Sequence, residues 1–424
     1  MQNFQYRIIL TLFFTVTILI IVGVHFAYRD PLFEVSQDII EELQSHNSDV
    51  VRYFLEGVSL LLGGEALMFG TCALMFAFAK RQRAFYYILL ISIVTIVLSI
   101  GKLAYHHPRP YMVDEKIKVY GCATEFGDPS GHTTSSSAVL VALNMDFLSK
   151  YNRIKLIWKI LSIILCILLI FMVGFSRLYN GDHTIDQIIY GWCLGIWVAV
   201  VLFLAFKDKL YQHISEIMNK PRLFNMRQRI RYAGIAFGIF IILIIGLIVS
   251  YEVVKRNFDI PQEWKDNLAK ECGADIGLYS FDSASLIQGL SIVVALSSYY
   301  GILYGSMRSS TRDEFYLYGD LWWQGVLRLL VFLVFSAIFV IPVALKVDVN
   351  NNAYLTALVT TFVPFIIIGF VVFSSLFDKV YYKLKLSYLK PSLYFKGDRY
   401  DMVINQNETI SVGTSSDAKT KNYL

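Results

Sequence analysis

The sequence predicts an all-α polytopic membrane protein of about ten transmembrane helices, six before a basic connector and four after it. Two observations carry this. Of the 424 residues, 56% are apolar and only 17% are charged, whereas a soluble chain has roughly a quarter of its residues charged. The apolar residues also gather into stretches close to the roughly 20 residues a helix needs to cross a bilayer. Mean hydropathy is +0.53, and there is too little polar surface to cover several water-soluble domains.

Ten stretches read as spans: 8–28, 54–79, 84–105, 133–149, 156–176, 185–206, 231–254, 284–304, 322–346 and 353–377. The first is too long for a signal peptide and lacks a small-residue cleavage site, so it reads as a retained anchor. The second contains Glu56 and Glu65, and ionisable groups at membrane depth are candidate functional residues. The third ends in Lys102 to Pro110, where two prolines cannot extend the helix. The fourth opens on Pro129-Ser130-Gly131-His132. The fifth and sixth are joined by Ser176 to Gln187. Pro342 and Pro364 are positioned to kink the last two.

Lys and Arg set the orientation. Segments on the side of the two termini hold 24 of the 38 basic residues and the opposite segments hold ten, so both ends are expected in the cytosol. Basic cytosolic loops suit anionic lipid headgroups, and no basic–aromatic platform for nucleic acid is present. Cys72, Cys166 and Cys193 fall inside spans as apolar filler. Cys122 and Cys272 fall on the exoplasmic side, where a disulfide could form. The Asn407-Glu408-Thr409 triplet lies in the cytosolic tail, and the end of the chain from about 391 has the composition of a disordered segment.

Three polar segments meet at one membrane face: Lys102 with Arg109, then Pro129 to His132, then Ser176 to Gln187. Pro129 suits a first helical turn, so Ser130, Gly131 and the following amides form a helix N-terminus that attracts anions. Three cations plus free amides make a phosphate cradle, and the planar fork of Arg can hold two oxygens at once. One His can attack phosphorus while another handles the leaving-group proton. No carboxylate cluster suited to magnesium is legible, so the pattern favours a metal-free route without a cofactor.

These residues resemble the type 2 phosphatidic acid phosphatase (PAP2) superfamily. Its signature is Lys-x6-Arg-Pro, Pro-Ser-Gly-His, then Ser-Arg-x5-His-x3-Asp. Here stand Lys102 with Arg109-Pro110, Pro129 to His132, and Ser176-Arg177 with His183. The resemblance covers about 1–206. It implies a six-helix catalytic core, His183 as the nucleophile, His132 as general acid then base, and Lys102, Arg109, Ser130, Gly131 and Arg177 as phosphate ligands. Where most members have Asp, this chain has Gln187, with Asp186 one residue earlier. Either could orient His183, and Gln187 has the matching spacing.

The expected organisation is a membrane phosphatase core at 1–208, a basic cytosolic connector at 209–230, a four-helix extension at 231–378 and a cytosolic tail at 379–424. The expected chemistry is hydrolysis of a lipid phosphate at a lumenal or extracellular site, with a sugar phosphate as the alternative substrate. A non-catalytic lipid-phosphate binder is the rival from another class. Membrane lipids and the lipid-phosphate substrate are the expected partners, a homo-oligomer is open, and neither metal nor nucleic acid is called for. His106 and His107 read as interfacial residues, and Cys122 and Glu125 as parts of a loop over the pocket.

Overall fold

The computed structural model describes residues 2–46, 48–151, 153–219, 224–272, 279–312, 314–318, 321–345, 347–391, 401–404 and 410–413. The Asn407-Glu408-Thr409 triplet and the last eleven residues lie outside them. The architecture is that of an all-α polytopic membrane protein. Among the described residues, eight helices are long and apolar enough to cross a membrane, and a bent pair makes a ninth.

Helix α1 (Gln2–Ser45) continues through Pro31 well past the expected 8–28. Its 44 residues make a rod of about 66 Å, longer than a bilayer is thick. The second span is broken: α2 (Asp49–Leu62) and α3 (Gly64–Phe78) meet at Gly63 with a 43° bend. Gly64 has φ +56°, a left-handed turn that glycine adopts without strain. Helix α4 (Arg81–Tyr105) ends as Pro108 and Pro110 dictate, with His106 in the left-handed cap position and a short turn, α5 (Pro110–Val113), beyond.

Helix α6 (Gly131–Lys150) is the expected fourth span, although it is not among the helices apolar enough to cross on composition. Its Thr133 to Ser137 run is buried throughout. Helices α7 (Leu156–Tyr179) and α8 (Ile185–Val201) follow. Small residues let α8 lie directly on α6: a Cβ on Gly191 would fall on Thr133 Oγ1, and one on Gly195 on Ser137 Oγ. That close approach is how polar helices associate where lipid offers no hydrophobic drive. A π turn (Leu202–Phe206) carries α8 into α9 (Lys207–Asn219), so much of the basic connector is a helical continuation of the sixth span.

The C-terminal part begins with α10 (Met226–Asn257), opened by a capping box in which Asn225 Oδ1 accepts from Gln228 N at 2.9 Å. Then come α11 (Gln262–Cys272), α12 (Phe281–Gly289), α13 (Val293–Arg312), α14 (Trp322–Ala344), α15 (Ala353–Ala357), α16 (Val363–Phe373) and α17 (Ser375–Lys383). Among the described residues, β structure is limited to two antiparallel pairs. Strand β1 (Glu314–Tyr318) pairs with β2 (Ser387–Pro391), and β3 (Asp401–Ile404) with β4 (Ile410–Gly413).

Both parts of the chain share their cores. Ile96, Leu103 and Phe126 pack with Leu247, Leu286 and Leu290, while Phe76 and Phe85 pack with Phe332, Phe373 and Tyr381. Helices α1, α7 and α10 turn apolar side chains such as Ile20, Leu168 and Ile242 outward, as lipid-facing helices do. At the start of α4, Arg81 pairs with Asp378, and Asp146 with Lys207 and Arg83. At its other end Cys122 and Cys272 form a disulfide across 150 residues.

Candidate active site

The end of α4, the start of α6 and the α7–α8 turn converge on one buried pocket, as the spacing of the three polar segments predicts. Lys102, in the last turn of α4, is fully buried and donates to Phe126 O at 2.6 Å. Arg109, placed by the Pro108–Pro110 turn, is 1% exposed and donates to three oxygens. Nε donates to Glu125 O at 2.9 Å, Nη2 to Glu125 Oε1 at 2.9 Å, and Nη1 to Asp182 O at 3.1 Å. Arg177, near the end of α7, donates to Ser59 Oγ at 2.9 Å and pairs with Asp182 at 2.9 Å.

His183 lies in the turn before α8, buried to 1%. Its Nδ1 is 3.0 Å from Gln187 Oε1 and its Nε2 is 3.0 Å from Arg109 Nη1. The network assigns the tautomer. Gln187 Nε2 donates to Pro108 O at 2.8 Å, which leaves Oε1 as the acceptor for an Nδ1–H. Nε2 then carries the lone pair, facing the guanidinium of Arg109. Burial together with Arg109, Arg177 and Lys102 holds the imidazole well below its usual range, so the ring is neutral near pH 7.

Ser130 is the residue before the first turn of α6, followed by Gly131 and His132. The first amides of a helix have no acceptor within it. Among the described residues, the buried Ser130 Oγ and Arg177 Nε also lack a hydrogen-bond partner. Unmet donors beside three buried cations suit a multi-oxygen anion. The His132 ring packs on the break in the second span: a Cβ added to Gly63 would lie 2.8 Å from His132 Cδ2, and one on Gly64 2.9 Å from Nε2. That break therefore makes room for His132.

The structure separates the two candidates for orienting His183. Gln187 touches the ring; Asp186 does not, and this corrects its place among the site residues. One residue earlier in α8, its carboxylate joins a different group with His25 of α1 and Asp128, all fully buried. His25 Nε2 is 2.5 Å from Asp128 Oδ2, and the ring stacks on Tyr190 at 4.6 Å. The three offer ligand atoms within 4.8 Å of one another, a donor set that could hold a divalent cation. His25 escaped the reading of the sequence, although a lone ionisable residue within an apolar span is a signal in itself.

Other residues sort by position. His107 lies 3.5 Å from Gln187 Nε2, whereas His106 turns out toward Phe258 at 4.4 Å. Glu65 is exposed, and Glu56 is 3.9 Å from Arg52. Glu125 and Asp182 are the acidic members of the pocket. Burial would raise the Glu125 carboxyl, but Lys102 and Arg109 outweigh it and hold the group well below the usual range. For Asp182 burial wins over Arg177 and Arg109, and its pKa rises to about 6.

In comparison with known families, residues 63–211, which contain all three segments, match the PAP2 superfamily. This stretch is a PAP2 superfamily domain. No curated protein and no solved structure matches the chain. The PAP2 domain as matched begins at the Gly63 break and ends within α9. It contains every residue of the cradle, but neither His25 and Ser59 nor the α11 partner of Cys122.

Proposed function

We propose that the protein is an integral membrane phosphatase that hydrolyses a lipid phosphate through a phosphohistidine on His183. The observation that carries this is an oriented imidazole whose Nε2 faces a buried cradle of cations with unmet donors. Lys102, Arg109, Arg177, Ser130 and the Gly131 end of α6 would hold the phosphoryl oxygens. As phosphate binds, Arg109 Nη1 transfers its hydrogen bond from His183 to a phosphoryl oxygen, freeing the lone pair. His183 Nε2 then attacks phosphorus and the bond to the leaving oxygen breaks. Gln187 Oε1 keeps the Nδ1–H aligned as the ring gains charge.

His132 gives a proton to the leaving oxygen, and the charge of the bound phosphate favours that proton on the ring. In the second half His132 takes a proton from water, whose oxygen attacks phosphorus while the P–N bond breaks. Inorganic phosphate and free His183 result. The pocket at the ends of apolar helices favours a substrate whose tail remains in the bilayer. The excess of basic residues on the side of the termini supports a site facing the lumen or exterior.

Phosphate release by purified protein in detergent, with a chelator present, tests the reading. The panel holds phosphatidate, sphingosine phosphate, a polyprenyl diphosphate and glucose 6-phosphate. Release from a lipid substrate that falls by about 10³-fold or more in His183→Ala is the expected result. Preference for glucose 6-phosphate would move the assignment to a sugar-phosphate phosphatase. Binding without release by the folded protein would make it a lipid-phosphate binder.

A further inference from the structure

The cations of the cradle already hold an anion of the chain's own. Glu125 Oε1 lies 2.9 Å from Arg109 Nη2 and 3.4 Å from Lys102 Nζ. The side chains of Lys102 and Arg109 are each 1% exposed, whereas that of Glu125 is 21% exposed. Solvent therefore reaches the carboxylate more readily than the cations it covers. An anion arriving from water meets Glu125 first, and Glu125 repels it.

The backbone beneath this side chain is pinned on both sides. Cys122 is bonded to Cys272, Thr124 O accepts from Phe281 N at 2.9 Å, and Thr124 Oγ1 donates to Tyr279 O at 2.5 Å. Glu125 O is held by Arg109 Nε and Phe126 O by Lys102 Nζ, and Gly127 N donates to His107 O at 2.8 Å. What is left to move is the Glu125 side chain, swinging outward about its own torsions while the loop stays in place.

We propose that Glu125 is a resident anion that occupies the phosphate cradle at rest and must be displaced by the incoming phosphate. It is a positioning residue: it neutralises Lys102 and Arg109 while the site is empty, and it sets how tightly an oxoanion binds. This rests on the cradle being the phosphate site. It distinguishes Glu125 from a purely structural member of the loop, whose loss would loosen the cations and weaken anion binding.

The test uses the full chain in detergent and orthovanadate as the probe, with binding measured by calorimetry. Glu125→Gln and Glu125→Ala should bind orthovanadate about ten-fold tighter or more than wild type, since a like charge close to the ligand is gone. Equal or weaker binding by variants that unfold at the wild-type temperature overturns the proposal. Should neither variant fold, wild-type protein decides. Carbodiimide labelling of Glu125, read by mass spectrometry, should rise when tungstate is added, and unchanged or reduced labelling overturns it. Wild-type protein that binds no oxoanion would instead sink the underlying phosphate-site reading.

Discussion

His183 and Gln187 sit one helical turn apart, and their pairing decides what the ring can do. An amide oxygen orients the imidazole as a carboxylate would but adds no charge to steady the imidazolium. Gln187→Ala should therefore lower kcat by about 10²-fold, the low end of what positioned acid–base groups supply, with little change in vanadate affinity. Gln187→Asp is expected to keep the orientation and stabilise the protonated ring, raising the pKa of His183. Because attack needs the neutral ring, the acid limb of the kcat/KM profile should move to higher pH. An unmoved limb would mean that the charge at this position does not reach His183. At this scale the sequence was explicit about residue types, because phosphate chemistry constrains their spacing. It was silent on Glu125 as a cradle partner and on His25, since both depend on segments far apart in the chain: Glu125 meets Lys102 across 23 residues and His25 meets Asp128 across 103.

Among the elements, α6 and the broken second span deviate most from simple hydropathy. A helix beginning Gly-His-Thr-Thr-Ser-Ser-Ser is too polar to face lipid, and it survives because α8 presents glycines to it and other helices surround it. Gly191→Val should push Thr133 and the Ser130 carbonyl away from α8, costing about 1–3 kcal/mol as overpacking does, read as a lower unfolding temperature together with weaker oxoanion binding. A variant that loses stability but not anion affinity would show that α6 can shift without disturbing the cradle. Apolar runs made most spans legible, to within a few residues. The excess length of α1 and the helical connector were not, because nothing in hydropathy marks where a helix stops once it has left the bilayer. The break at Gly63-Gly64 was not legible, because the His132 ring that fills the space comes from another helix.

For the whole molecule, the described C-terminal helices add no residue to the cradle, yet they frame the site. Asn267 of α11 donates to Met112 O at 3.0 Å, Lys270 pairs with Glu115 at 2.6 Å, and Cys272 is bonded to Cys122, three residues before Glu125. Removing the disulfide by Cys122→Ser, or reducing it in wild type, should cost about 2–4 kcal/mol. It should also slow phosphate release, because the Glu125 loop is then held only by hydrogen bonds. Unfolding scans and turnover with and without dithiothreitol check both, and full activity after reduction would show that the loop needs no covalent tie. The divide that composition suggests at the connector is not a divide in packing, since Leu247 and Leu290 complete a core begun by Ile96 and Leu103. The 150-residue separation of the two cysteines also imposes an order of events during synthesis. The cradle-bearing helices emerge from the ribosome first, while the strap over them can be fastened only after Cys272 has followed. Until then a newborn chain carries the cradle residues without the covalent tie that joins their loop to α11.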